Sequence, residues 1–204
     1  MKSIVSAFFV FGPEVASNTH DFEVRTVTHD GREMLGVVAR QDLKRCPLFL
    51  GVYPGLQMSK ADSERKLAAY ADRYGVDRAA AELALRYNVA AERYGADVEL
   101  DPTDDDGHLL PEFAGHIALY VNEVPPRATP TASFIYNEPR ERYEIWLLEP
   151  LRAGEEVFTC YGNNYRRDYP FNITVCHNRE WSHIGNGSTF ISDRRGDPPV
   201  WTPE

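Results

Sequence analysis

The run Gly154-Glu155-Glu156-Val157-Phe158-Thr159-Cys160-Tyr161-Gly162 gathers paired carboxylates and a phenol into one short stretch. It follows an apolar strand, Tyr143-Glu144-Ile145-Trp146-Leu147-Leu148-Glu149, across a Pro150-Leu151-Arg152-Ala153 turn. Taken alone, Tyr161 reads either as an ordinary strand-end tyrosine or as a site hydroxyl, and it is the first candidate for chemistry. Two other clusters suggest metal binding and fail on spacing. In the acid run from Asp101 to Asp106, Asp104, Asp106 and Gly107 suit the third, fifth and sixth positions of a calcium loop. Pro102 and Phe113 then fall where the first and twelfth ligands must be, so the run is expected to be a solvated loop. Cys176, His177 and His183 lack a fourth partner at zinc-ligand spacing, and no metal is expected.

The elements that must hold these residues are mostly strands. Phe22 to Thr28 alternates apolar and polar residues and runs into His29-Asp30-Gly31, which supplies turn chemistry. Strands are expected over Leu35 to Arg40 and Leu48 to Tyr53, the latter stopped by Pro54-Gly55. From Ser59 the period changes: Leu67, Tyr70, Ala71 and Tyr74 recur at helical spacing, with Ser59 as cap and Gly75 as terminator, and Asp77 can cap a second helix. Arg86 to Ala91 and Ala96 to Leu100 suit either a continued helix or a hairpin around Tyr94-Gly95, and the hairpin is favoured. Ser133 to Asn137 and Tyr143 to Glu149 read as antiparallel strands. The last stretch is rich in Gly, Pro, Asn and Arg.

The chain has 204 residues, 43% hydrophobic and 26% charged, enough to bury one core without staples. A net charge of −9 argues against general phosphate binding and suits a basic partner. No apolar run approaches membrane-spanning length. Three cysteines with no CxxC pair indicate neither a zinc ribbon nor a complete disulfide framework and fit a reducing compartment. Met1-Lys2 and the apolar Ile4 to Gly12 have the outline of a signal peptide, but Pro13 and Glu14 occupy the cleavage position. An intracellular setting, nuclear or cytoplasmic, is expected. A secreted β-rich binding protein is the minor alternative, supported by that amino terminus and two Asn-x-Ser/Thr triplets.

Three stretches stand in order between residues 22 and 169. They are Met34 to Ala39 with Asp42-Leu43 and Val52-Tyr53-Pro54-Gly55; Gly115-His116-Ile117-Ala118-Leu119-Tyr120-Val121-Asn122; and the Tyr161 run. Together they resemble the SET-domain family of protein lysine methyltransferases. Tyr120-Val121-Asn122 and Cys160-Tyr161-Gly162-Asn163-Asn164-Tyr165 look closer to its PR-domain branch. The resemblance implies a mostly β (β+α), SET-like fold of several short sheets, with a helical insert at about 59–85 and a threaded C-terminal segment. It divides the chain into an extension at 1–20, the domain at 21–169, and a segment at 170–204 packed over or beside the site.

The resemblance also implies roles. Tyr161 would be the catalytic hydroxyl, and Leu35, Gly36, Asn122 and Glu123 would hold S-adenosylmethionine, with Trp181 from the C-terminal segment covering the adenine. Tyr53, Tyr87 and Thr159 would wall a channel for a lysine of a protein substrate, histone tails being the family's most familiar targets. A lysine ammonium titrates at about 10.4, so a desolvated aromatic channel is needed to favour the neutral amine. Thr159 stands where the family usually has an aromatic residue, which leaves room for more than one methyl. Met34, Glu123, Val124-Pro125 and Cys160 replace the family's Gly, His, Ser-Cys and Asp. Those departures keep open the alternative of a catalytically lapsed SET-like module that binds a peptide or protein partner.

Overall fold

The computed structural model describes residues 17–85, 89–90, 98–126, 128–137, 140–161, 180–182 and 190–192. Its elements are mostly strands. Phe22–His29 (β1) and Arg32–Ala39 (β2) pair antiparallel from Phe22 opposite Ala39 to His29 opposite Arg32. Between them Asp30 and Gly31 take φ of 49° and 78°, the two positive values that a tight hairpin turn demands and an Asp-Gly pair tolerates.

Leu48–Val52 (β3), Ala132–Asn137 (β8) and Arg142–Leu147 (β9) form a second sheet in the order β3-β9-β8. Alternation along β9 sends Ile145 and Leu147 into the core, both fully buried. The opposite face collects Arg142, Glu144 and Trp146, and the buried Glu144 carboxylate accepts from Arg142 Nε at 2.6 Å and Trp146 Nε1 at 2.9 Å. Phe22, Val37, Leu50, Ile117, Leu119, Val121 and Val157 complete the main core.

Leu56–Ser59 (β4) and Val98–Asp101 (β6) pair antiparallel, and Val89–Ala90 (β5) adds to the other edge of β6. The β5–β6 pairing is the hairpin alternative for this region; residues 91–97 lie outside the described set. Two helices follow β4, the first packed on this sheet and the second on the first. Lys60–Tyr74 (α1) begins at Ser59, whose side chain accepts from Asp62 N, and ends at Gly75 in the left-handed conformation. Arg78–Ala84 (α2) is capped by Asp77, which accepts from Ala80 N. Leu67, Ala81 and Leu85 bury their own small core beneath the two helices.

The start of the acid run departs from the expected solvated loop, with Asp101 and Thr103 0% and 4% exposed, whereas Asp105 is exposed as expected. Lys66 of α1 reaches Asp101 Oδ2 at 2.5 Å and Thr103 O and Oγ1 at 3.0 and 2.9 Å, while Asp101 Oδ1 accepts from Thr103 N and Oγ1. All three ammonium hydrogens are used, which lets both charges be buried. Helix packing brought the lysine, and no local pattern in the acid run announces it.

The remaining elements position the site. A short 3₁₀ turn, Ile117–Tyr120, leads into Asn122–Glu123 (β7), which pairs in parallel with Phe158–Thr159 (β10). Glu180–Ser182 (β11) and Phe190–Ser192 (β12) form a separate antiparallel pair. Among the described residues no helix is long and apolar enough to cross a membrane.

Candidate functional site

β2 supplies the first wall. It passes from exposed Arg32 and Glu33 to fully buried Val37, and Leu35, where the strand emerges, is 47% exposed. The outer edge of β2 is extended by the Gly154–Val157 segment. Gly154 N donates to Ala39 O at 2.8 Å, Ala39 N to Glu155 O at 2.9 Å, and Val157 N to Val37 O at 2.8 Å. Further along that edge, the Leu35 carbonyl accepts the Asn122 side-chain amide at 2.9 Å.

The same Asn122 nitrogen donates to Glu156 Oε1 at 2.8 Å. Both amide hydrogens are thereby engaged within the protein, leaving Oδ1 as an acceptor. Glu156, whose side chain is 9% exposed, turns Oε2 to within 2.8 Å of His29 Nε2. That contact is close but off the ring N–H axis, and Nε2 is buried with no aligned hydrogen-bond partner among the described residues. The His29 ring also leans on Phe158 with centroids 5.6 Å apart.

The Glu156–Asn122 bridge crosses β2 directly above Gly36. A β-carbon there would lie 2.5 Å from Glu156 Oε1, 2.8 Å from Val27 Cγ2 and 3.0 Å from Asn122 Nδ2. Glycine is required by this close approach of side chains rather than by a turn.

The parallel pair β7–β10 brings the other segments together, with Phe158 opposite Asn122 and Thr159 opposite Glu123. Val124 N donates to Thr159 O at 2.9 Å and extends the pairing. Tyr161 follows two residues beyond Thr159. Its hydroxyl donates to the Val121 carbonyl at 2.8 Å, and its backbone N–H donates to Glu123 Oε1 at 3.1 Å. The half-buried residue is thus held by its backbone and its hydroxyl against the Val121–Glu123 stretch. A phenol whose proton is committed to a carbonyl offers oxygen lone pairs, which suit an N–H donor or a positively polarised carbon.

Leu35, Gly36, Asn122, Glu123, Thr159 and Tyr161 therefore converge. Thr159 and Glu123 are 1% and 8% exposed. Tyr53 is buried at the end of β3, edge-on to Phe134 with centroids 5.2 Å apart, and its N–H donates to Tyr143 O at 2.9 Å. Nearby, His116 Nδ1 lies 3.4 Å from the Val52 carbonyl. Burial holds this ring below the ordinary histidine range, against a smaller opposing effect of that carbonyl. Tyr87 falls outside the described residues. Trp181 lies on β11, opposite Ile191, and its side chain lies outside the described set.

Cys160, beside Tyr161, is disulfide-bonded, whereas Cys46 is a free thiol. The bond departs from the expectation that an odd, unpatterned set of cysteines stays reduced, because pairing depends on spatial approach rather than on sequence spacing. An open depression of about 490 Å³ lies beyond the Ala39 end of β2, lined by Asp21, Gln41, Asp42 and Lys44. It is remote from the convergence at Leu35 and holds no arrangement of reactive groups. Residue patterns did not single out His29, Glu156 or Val121 as site residues. The paired acids at 155 and 156 were visible, but which of them faces Asn122 was not. Compared with known protein families and with curated proteins, the chain matches no family model and no curated relative.

Proposed function

We propose that this chain transfers methyl groups from S-adenosylmethionine to the side-chain amine of a protein lysine, with Tyr161 orienting the reacting atoms. One observation carries the reading: the three stretches that resemble SET lysine methyltransferases lie side by side, and the Tyr161 hydroxyl is anchored on the Val121 carbonyl where they meet. The residues present suit the cofactor. Leu35 offers exposed apolar surface, Asn122 Oδ1 an acceptor, and Glu123 a nearly buried carboxylate. Gly36 keeps the strand thin where they gather. Trp181 would cover the adenine by stacking.

When bound, the cofactor supplies an electrophilic methyl on a sulfonium sulfur. No protein nucleophile is needed, so acceleration comes from alignment and from a dry channel. Tyr53, Tyr87 and Thr159 would line that channel, where loss of water favours the neutral lysine amine. The Tyr161 oxygen would accept an N–H of that amine and hold its lone pair on axis. The acidic surface, with a net charge of −9, favours a lysine-rich partner.

A second reading, a peptide- or partner-binding module of the same fold without catalysis, is favoured by one feature. The Asn122 amide hydrogens are spent on Leu35 and Glu156 rather than left for a ligand. Calorimetry with S-adenosylhomocysteine and a peptide-array assay with labelled cofactor separate the two. The enzyme reading expects binding and transfer by the wild type. In Tyr161→Phe, binding should be preserved and transfer reduced by about 100-fold or more. A wild type that neither binds the cofactor product nor labels any peptide would sink the enzyme reading and leave the module.

A further inference from the structure

The bridge over Gly36 joins three separate parts of the chain. His29 ends β1, Glu156 lies in the segment paired to β2 through Val38, and Asn122 begins β7. Glu156 is the middle member, with one oxygen 2.8 Å from Asn122 Nδ2 and the other 2.8 Å from His29 Nε2. A carboxylate held this far from water stays only where polar partners compensate it. Here the neighbours are the asparagine that grips Leu35 and, close but off its N–H axis, a buried imidazole nitrogen with no aligned partner among the described residues. The consequence for Asn122 is directional. With both amide hydrogens fixed by Leu35 O and Glu156 Oε1, its Oδ1 must point the opposite way, away from both of those acceptors.

We propose that Glu156, braced by His29, is a positioning residue that fixes the Asn122 carboxamide and so presents the Asn122 oxygen to the ligand site. Without the Glu156 oxygen, one amide hydrogen loses its partner and the carboxamide is free to rotate about its last torsion, which has two broad wells. A glutamine at 156 keeps an acceptor oxygen for Asn122 and presents an N–H toward His29. Alanine keeps neither. The ligand side of this inference rests on the cofactor reading above; the orientation of Asn122 does not.

The test has two arms on the full chain. In the first, the Asn122 side-chain amide signals are identified by NMR through their loss in Asn122→Asp, and their exchange with solvent is measured. Wild type and Glu156→Gln should show two resolved, slowly exchanging protons, and Glu156→Ala should exchange about tenfold faster, the equilibrium equivalent of one charge-assisted hydrogen bond. His29→Ala, a milder change at the outer end of the bridge, should speed exchange about threefold by the same reasoning and serves if the alanine variant at 156 does not fold. Unchanged exchange in the folded variants overturns the proposal. In the second arm, calorimetry with S-adenosylhomocysteine should show an affinity loss of about tenfold for Glu156→Ala and recovery in Glu156→Gln. A Glu156→Ala protein that melts earlier yet binds as tightly as wild type would make the residue merely structural. If wild type itself does not bind, the cofactor reading falls, and the exchange arm alone decides the positioning role.

Discussion

Gly36→Ala perturbs the site through a single added methyl. The new β-carbon would sit 2.5 Å from Glu156 Oε1, whereas ordinary contact begins at 3.4 Å, so the oxygen must retreat by roughly 0.9 Å. Glu156 is the flexible partner in this clash, but it is held at 2.8 Å by Asn122. Retreat along the line of contact stretches that bond beyond the useful limit of about 3.2 Å. Losing a hydrogen bond to a charged group costs about 1.5–3 kcal/mol, and crowding Val27 Cγ2 at 2.8 Å adds about 1 kcal/mol or more of overpacking. The expected total is about 3 kcal/mol, or a melting temperature lower by about 6–12 °C for a chain of this size. Denaturant melts of wild type, Gly36→Ala, Glu156→Ala and the double variant measure it. In the Glu156→Ala background the clashing oxygen is absent, so adding Gly36→Ala should cost about 1 kcal/mol rather than about 3. Strict additivity within about 0.5 kcal/mol would refute the claim that the Glu156–Asn122 bridge is what demands glycine here.

Other outcomes follow from buried charge and burial of a histidine. Lys66→Met leaves Asp101, with a side chain 1% exposed, without its counter-charge, and a loss of about 3–5 kcal/mol is expected in urea melts. Adding Asp101→Asn should recover a large part, because the amide still accepts from Thr103; a loss below about 1 kcal/mol for the single change would mean the pair behaves as a surface bridge. For His116, burial disfavours the protonated ring in the folded chain, so the unfolded chain takes up the proton first as pH falls. Stability is therefore retained above the ordinary histidine value of about 6.5 and declines as pH drops below it, levelling only once the folded ring also protonates. Melts of wild type and His116→Asn from about pH 8 to pH 5 should show a shallower acid decline in the variant; parallel profiles would remove His116 as a source of that decline.

Much of the local architecture was legible from residue types. Asp30-Gly31 announced the β1–β2 turn because few other pairs accept two positive φ values. Ser59, Gly75 and Asp77 marked the helix ends because each satisfies backbone groups that a helix leaves unpaired. The apolar strand that became β9 and its antiparallel pairing with β8 were likewise readable. Pro54-Gly55 stopped β3 as expected, yet the chain resumed at once as β4, since a new partner, β6, was available from about 40 residues further on.

At the candidate site the division is sharper. Residue types alone reveal which segments carry polar chemistry: the paired acids, the Asn122-Glu123 pair and Tyr161 are all in plain view. Short-range rules of sterics and capping likewise mark the strand and helix ends. Folding in three dimensions was needed to set β7 and β10 parallel, to end the Tyr161 hydroxyl on Val121, and to turn Glu156 rather than Glu155 toward Asn122 across Gly36. The physical reason is separation along the chain. Val121 and Tyr161 are joined by 40 positions and Leu35 and Asn122 by 87, so their hydrogen bonds exist only after the core has set the strands side by side, and no local preference encodes them.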